Sequence, residues 1–186
     1  MKLYIKNMVC LRCKILVQAE IEKLGLHCLV IKLGEIEIDE PISEEELHQL
    51  NSAFKIYELE LLEDKKIILV ENIRSLIIEI IHYSNEIPKI NFSHYISGKL
   101  NCSYNNLSHL FSEIRHTTIE HYIILQKIER AKELISYDEL SLSEIASNLH
   151  YSSVAHLSHQ FKQIVGTTPT QYKNTKQPAR ISLDLL

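Results

Sequence analysis

Ser103-Tyr104-Asn105-Asn106-Leu107-Ser108-His109-Leu110-Phe111 recurs fifty residues later as Ser153-Val154-Ala155-His156-Leu157-Ser158-His159-Gln160-Phe161. Five positions are identical: the leading serine, the Leu-Ser-His triplet and the closing phenylalanine. A serine there predicts a helix start, because its hydroxyl can accept from a free backbone N–H of the first turn. Leu107 with Phe111, and Leu157 with Phe161, are four residues apart and share a helical face, so both pairs are expected in a core. The polar residues between them then face the other way. A repeat of this length points to one supersecondary unit used twice.

A shorter apolar segment precedes each copy, residues 92–100 and 142–149, and each has the spacing of a short helix. Asn101 and His150 follow their last apolar residues, where the turn needs a positive φ. Asn and His are among the few residues other than glycine enriched there. Two short helices, a tight turn and a polar outer face on the second describe a helix-turn-helix. A long helix predicted over 118–135 joins the two units. Upstream, Val70, Ile73, Ile77, Ile80 and Ile81 form a helical stripe that ends near Asn85-Glu86-Ile87-Pro88.

The second unit carries further residues in a recognisable order: Arg130-Ala131, Leu134, Leu142-Ser143, Ile145-Ala146 and Tyr151-Ser152-Ser153. Leu157-Ser158, Phe161-Lys162, Gly166-Thr167-Thr168-Pro169 and Tyr172 follow. Residues 65–174 thus resemble the DNA-binding domain of the AraC/XylS transcriptional regulators. The departures are His150 and Asn101 at turn positions where that family has glycine, and Ser97 where it commonly has alanine. The resemblance implies that both second helices enter successive major-groove segments on one face of double-stranded DNA. It marks Asn105, Ser108, His109, Val154, Ala155, Ser158 and His159 as base contacts. Ser103, Ser153, Lys162, Tyr172 and Lys173 are the matching phosphate contacts. The family often has arginine where His109 and His159 stand, so weaker guanine recognition is expected.

The first 64 residues have a different pattern. Leu3 and Ile5 alternate with polar neighbours, then Leu11, Ile15, Leu16, Ala19, Ile21 and Leu24 take up helical spacing before Gly25. Residues 27–33 and 35–39 have strand patterns on either side of Gly34. Ser43 with three glutamates behind it predicts a helix start, and Tyr57-Glu58-Leu59-Glu60-Leu61 alternates as a last strand. Strand, helix, strand, strand, helix, strand is the split-βαβ, ferredoxin-like plan. The fold class expected is α+β: a small ferredoxin-like domain over 1–64, an all-α double helix-turn-helix over 65–174, and a tail over 175–186.

Cys10 and Cys13 fall between the first strand and the first helix. Thiolates there meet the free N–H groups of a helix start, and two of them two residues apart suit a soft metal ion. Met8-Val9-Cys10-Leu11-Arg12-Cys13 resembles the Met-x-Cys-x-x-Cys of heavy-metal-associated domains. That likeness implies a buried Met8, Cu(I) or another soft ion held by Cys10 and Cys13, and Tyr57 close to the site. Here Asn7 replaces the usual glycine, and Leu11 and Arg12 replace small or polar residues. The same pair also admits two other readings: a redox couple, ranked low because the only proline before residue 88 is Pro41, and a relic kept for packing.

Lys and Arg total 20 against 24 Asp and Glu, for a net charge of -4. The acidity is confined: residues 1–64 hold 7 basic and 13 acidic side chains, residues 65–186 hold 13 and 11. The helical half is close to neutral, so DNA recognition is expected to rest on a few placed contacts rather than on bulk attraction. Four cysteines and no apolar leader fit a cytoplasmic protein, and the most apolar stretch is too broken by charge to cross a membrane. There is no phosphate loop or nucleophile elbow, which argues against an enzyme. The expected protein is a bacterial regulator, with DNA and RNA polymerase as partners, acting as a monomer or homodimer. The short link after residue 64 predicts a rigid junction through which a bound metal could alter packing against 70–81. The competing reading is a metal carrier whose helical half binds a protein and not DNA.

Overall fold

In the computed structural model the chain packs as two compact units, Met1–Leu76 and Ile77–Leu186. The structure describes residues 1–84, 91–174 and 181–184. The first unit runs β1 (Lys2–Lys6), α1 (Leu11–Lys23), β2 (Cys28–Lys32), β3 (Glu35–Ile38), α2 (Glu44–Lys55) and β4 (Glu60–Leu62). Helix α3 (Lys65–Ile78) follows, and the division between the units falls within it. The four strands form one antiparallel sheet in the order β2-β3-β1-β4.

Strand alternation does the sorting. Leu3, Ile5, Ile36 and Ile38 pack with Val17 and Ile21 of α1 and Leu50 and Phe54 of α2, all buried. Lys2 and Glu35 point to the other face and pair at 3.0 Å. Ser43 caps α2 through a full capping box with Glu46, and Glu44 and Glu45 complement the helix dipole behind it. Gly34 takes φ 74° in the β2–β3 turn, and a Cβ there would lie 2.7 Å from the Ser75 hydroxyl.

Two expectations are corrected. The last strand does not begin at Tyr57: Tyr57 and Glu58 form a turn, with Glu58 at φ 61°, and pairing starts at Glu60. The N–H groups of Tyr57 and Leu59 both donate to the Phe54 carbonyl, which keeps this segment wound onto the end of α2. The helix expected to run regularly through residues 79–83 instead widens there into a π turn, Glu79–Tyr83. That turn carries His82, whose Nε2 lies 2.9 Å from Gln126 Oε1 in the interior. The stop expected at Asn85 to Pro88 lies outside the described residues.

The second unit continues with α4 (Phe92–Leu100), α5 (Tyr104–Arg115), α6 (Ile119–Tyr137), α7 (Leu142–Asn148), α8 (Val154–Val165) and α9 (Pro169–Lys173). Helix α6 serves two lobes. Its first turns bury Ile119 and Tyr122 in the lobe that also holds Ile96, Leu107 and Phe111. Its later turns bury Ile128, Ala131 and Ile135 with Ile145, Leu149, Leu157, Phe161 and Tyr172.

Candidate functional site

Each repeat builds the same local device. Ser103 Oγ accepts from Asn106 N at 3.4 Å, and Ser153 Oγ accepts from His156 N at 3.1 Å, so both serines start their helices. Each hydroxyl can still donate one hydrogen bond outward. Asn101 and His150 take the left-handed turn conformation, φ 50° and 55°. Leu107, Phe111, Leu157 and Phe161 are fully buried. That burial rotates Asn105 and His109 of α5, and Ala155, His159 and Lys162 of α8, to the exposed surface. Ser108, Ser158 and Val154 lie beside them, half-buried.

The repeat is longer than its sequence core. His116 and Gly166 both end their helices at positive φ, 54° and 86°. Thr118 and Thr168 both cap the next helix, their side-chain oxygens accepting from His121 N and Gln171 N. Tyr122 and Tyr172 both place their rings against the repeat phenylalanine, at 5.6 Å from Phe111 and 5.4 Å from Phe161. Tyr172, expected among the phosphate contacts, is therefore a core residue, 5% exposed. Its place in the core comes from its being the twin of Tyr122, a signal present in the sequence fifty residues earlier. Lys173 is exposed and paired with Asp138.

Two residues near the recognition face are positioned by contacts that spacing alone does not reveal. His156 is exposed, yet its Nδ1 lies 3.0 Å from Ser152 Oγ and its ring meets Tyr151 edge-on at 5.2 Å. Tyr104, the first residue of α5, donates its hydroxyl to Glu120 at 2.5 Å. Burial and that carboxylate push the Tyr104 phenol well up, and the same bond holds Glu120 below the usual carboxylate range.

In the first unit Cys10 is the N-cap of α1, and its sulfur accepts from Cys13 N at 3.4 Å. The two sulfurs stand 3.1 Å apart, and both cysteines are free thiols. Burial alone would push the Cys10 thiol up, but hydrogen bonds from Cys13 and Arg12 outweigh it and bring Cys10 below its ordinary value. Cys13 moves up, through burial first and then through its neighbour. Asn7 occupies φ 63°, the conformation that favours glycine, and its side-chain amide donates to the Glu58 carbonyl at 3.1 Å. Met8 is buried. Tyr57 is 46% exposed in the turn before β4. Among the described residues, no group of three or more His, Cys, Asp or Glu could hold a metal ion. A cavity of about 890 Å³ in this unit is lined by Tyr4, Leu47, Asn51, Ile68 and Asn72 among others, and neither cysteine borders it.

Residues 96–175 match the family described as a helix-turn-helix domain. The chain is 30% identical over 79 residues to YkgA of Escherichia coli, named as an HTH-type transcriptional regulator. That match covers 42% of this chain and 33% of YkgA. An uncharacterized HTH-type transcriptional regulator of Staphylococcus aureus is 27% identical over 96 residues, covering 52% of this chain and 12% of that protein. The chain therefore spans a third or less of the length of these relatives. Both relatives are named as helix-turn-helix transcriptional regulators. A solved transcriptional regulator with an AraC-type DNA-binding domain, from Chromobacterium violaceum, superimposes with a TM-score of 0.50 at 20% identity. It covers 59% of this chain and 96% of that one, and the likeness is one of fold. Among the described residues, no helix is long and apolar enough to cross a membrane.

Proposed function

We propose that this chain is a sequence-specific DNA-binding transcriptional regulator of AraC type, cytoplasmic, that reads two adjacent major-groove segments with α5 and α8. The observation that carries this reading is the duplicated cap-and-core geometry within the segment that matches the helix-turn-helix family. It turns Asn105, Ser108 and His109, and Val154, Ala155, Ser158 and His159, toward one kind of surface twice. Asn105 suits the edge of adenine, and Val154 and Ala155 suit a thymine methyl. Ser103 and Ser153, with their hydroxyl hydrogens unspent, and Lys162 and Lys173 are the phosphate contacts. A phosphate can replace the exposed Asp138 as the partner of Lys173, because a surface ion pair is weak.

In the same reading the domain over residues 1–64 is a ferredoxin-like, heavy-metal-associated type of sensor. Its βαββαβ order and its β2-β3-β1-β4 sheet support this. Cys10 and Cys13 fit a soft ion, since they offer two free thiols at a helix start and no hard oxygen ligand. When bound, the ion would supply a positive charge that holds the Cys10 and Cys13 sulfurs together. The chain's own part is to lower the Cys10 thiol below its ordinary value through the hydrogen bonds from Cys13 and Arg12, which makes the sulfur a readier ligand.

Selection of bound DNA from a random pool by the full chain, with and without Cu(I), tests the proposal. A defined sequence should emerge, with a gel shift that weakens as salt rises. No sequence-specific shift in either condition would overturn the regulator reading and favour the metal carrier. Cys10→Ser with Cys13→Ser should abolish stoichiometric Cu(I) uptake; unchanged uptake would remove the sensor site.

A further inference from the structure

Lys127 lies midway along α6, between the turns that bury Tyr122 in the first lobe and those that bury Ile128 in the second. Its ammonium lies 5.9 Å from the ring centre of Phe92, the first residue of α4. On the other side it lies 5.4 Å from the ring of Tyr151, in the turn that leads into α8. Tyr151 in turn meets His156 of α8 edge-on at 5.2 Å. A continuous line of contacts thus runs from the first helix of one lobe, through the connecting helix, to the recognition helix of the other.

The chemistry of these contacts is directional. A cation is drawn to the negative face of an aromatic ring, and the attraction strengthens when water is kept away. Burial pushes the Lys127 ammonium below its ordinary value. Tyr151 is 9% exposed and its hydroxyl has no hydrogen-bond partner among the described residues, so its ring is held by packing and by the cation rather than by its polar end. The charged end of Lys127 thus engages one ring from each lobe.

We propose that Lys127 is a positioning residue that fixes the spacing and rotation of α5 relative to α8, and so sets the distance between the two DNA segments that the chain reads. The proposal rests on the DNA-binding reading above. A rigid pair of readers tolerates one separation of its targets, because each inserted base pair shifts the second by roughly 3.4 Å and about a tenth of a turn. Releasing the clasp lets each reader find its target independently.

The test uses the full chain and the sequence it selects, with one base pair inserted or removed between the two contacted segments. The unaltered chain should lose about tenfold or more in affinity on either changed spacing. Lys127→Met, which keeps the stem and removes the charge, should reduce that penalty to about threefold or less. Lys127→Arg should keep the full penalty, since guanidinium also binds ring faces. Phe92→Leu, which leaves Lys127 in place and removes one ring, should relax the spacing as Lys127→Met does. The proposal falls if Lys127→Met and Phe92→Leu both retain the full penalty, or if Lys127→Arg relaxes it as much as Lys127→Met. If the unaltered chain selects no sequence, the DNA-binding reading fails first and this one with it.

Discussion

Phe161 and Tyr172 meet edge to face with ring centres 5.4 Å apart, and Phe111 and Tyr122 pair at 5.6 Å in the other lobe with their rings tilted at 54°. The pair closes α9 onto α8, as its twin closes the start of α6 onto α5. Tyr172→Ala should therefore destabilise the second lobe by about 3 kcal/mol, the cost of emptying a buried aromatic site. Tyr172→Phe should leave the salt dependence of DNA binding unchanged. Chemical denaturation and a salt titration of the gel shift measure the two effects.

His116 and Gly166 occupy equivalent helix ends at φ 54° and 86°. A side chain in the left-handed region costs more than glycine's extra freedom in the unfolded chain. His116→Gly should stabilise the first lobe by about 0.5–1 kcal/mol. Slower amide exchange in α5 would report it, and unchanged exchange would mean that His116 is not strained.

Tyr151 buries a hydroxyl that has no partner among the described residues, while its ring faces Lys127. Tyr151→Phe removes the desolvated hydroxyl and keeps the ring. The variant should be as stable as the parent or more so, by about 1 kcal/mol. A drop of that size would place an ordered partner at the hydroxyl.

His159 and Lys162 both stand on the exposed side of α8, but for different targets. His159→Ala should flatten base preference at one position by about 1 kcal/mol while other positions keep theirs. Lys162→Ala should weaken all sequences alike and reduce the salt slope by about one. Binding measured on a single-substitution DNA series at two salt concentrations separates them.

Tyr104 and Glu120 link the start of α5 to α6, and the bond makes the first lobe sensitive to acid. Glu120 lies below its ordinary value of 4.5 in the folded chain, so between the two values the unfolded chain binds more protons. The stabilisation is complete above pH 4.5 and is lost as pH falls through the lower folded value. Glu120 is exposed, so the effect should stay under about 1 kcal/mol. Tyr104→Phe should flatten that part of the stability–pH curve, and an unchanged slope would assign it to another carboxylate.

Much of the helical half was legible because its signals are local. Ser103, Ser153 and Thr118 announce helix starts to N–H groups three residues on, and Asn101 and His150 sit where a chain must reverse. The outward face of α5 and α8 followed from the buried Leu and Phe four residues apart. The turn at Tyr57 was hidden, because its alternation imitates a strand while the Phe54 carbonyl holds it in the end of α2. The π turn at Glu79–Tyr83 was hidden as well, since an apolar stripe does not record how many residues each turn contains.

By itself the sequence determined where most of the helices begin, which leucines and phenylalanines of each repeat enter the cores, and which residues of each repeat face outward. Those choices are settled among residues a few positions apart, by caps, by turns and by the period of the apolar groups. Tertiary structure alone decided that Cys10 and not Cys13 has the lowered thiol, and that Lys127 stands between Phe92 and Tyr151. Each depends on burial or on groups brought together by packing, and the partners of Lys127 are 35 and 24 residues away along the chain.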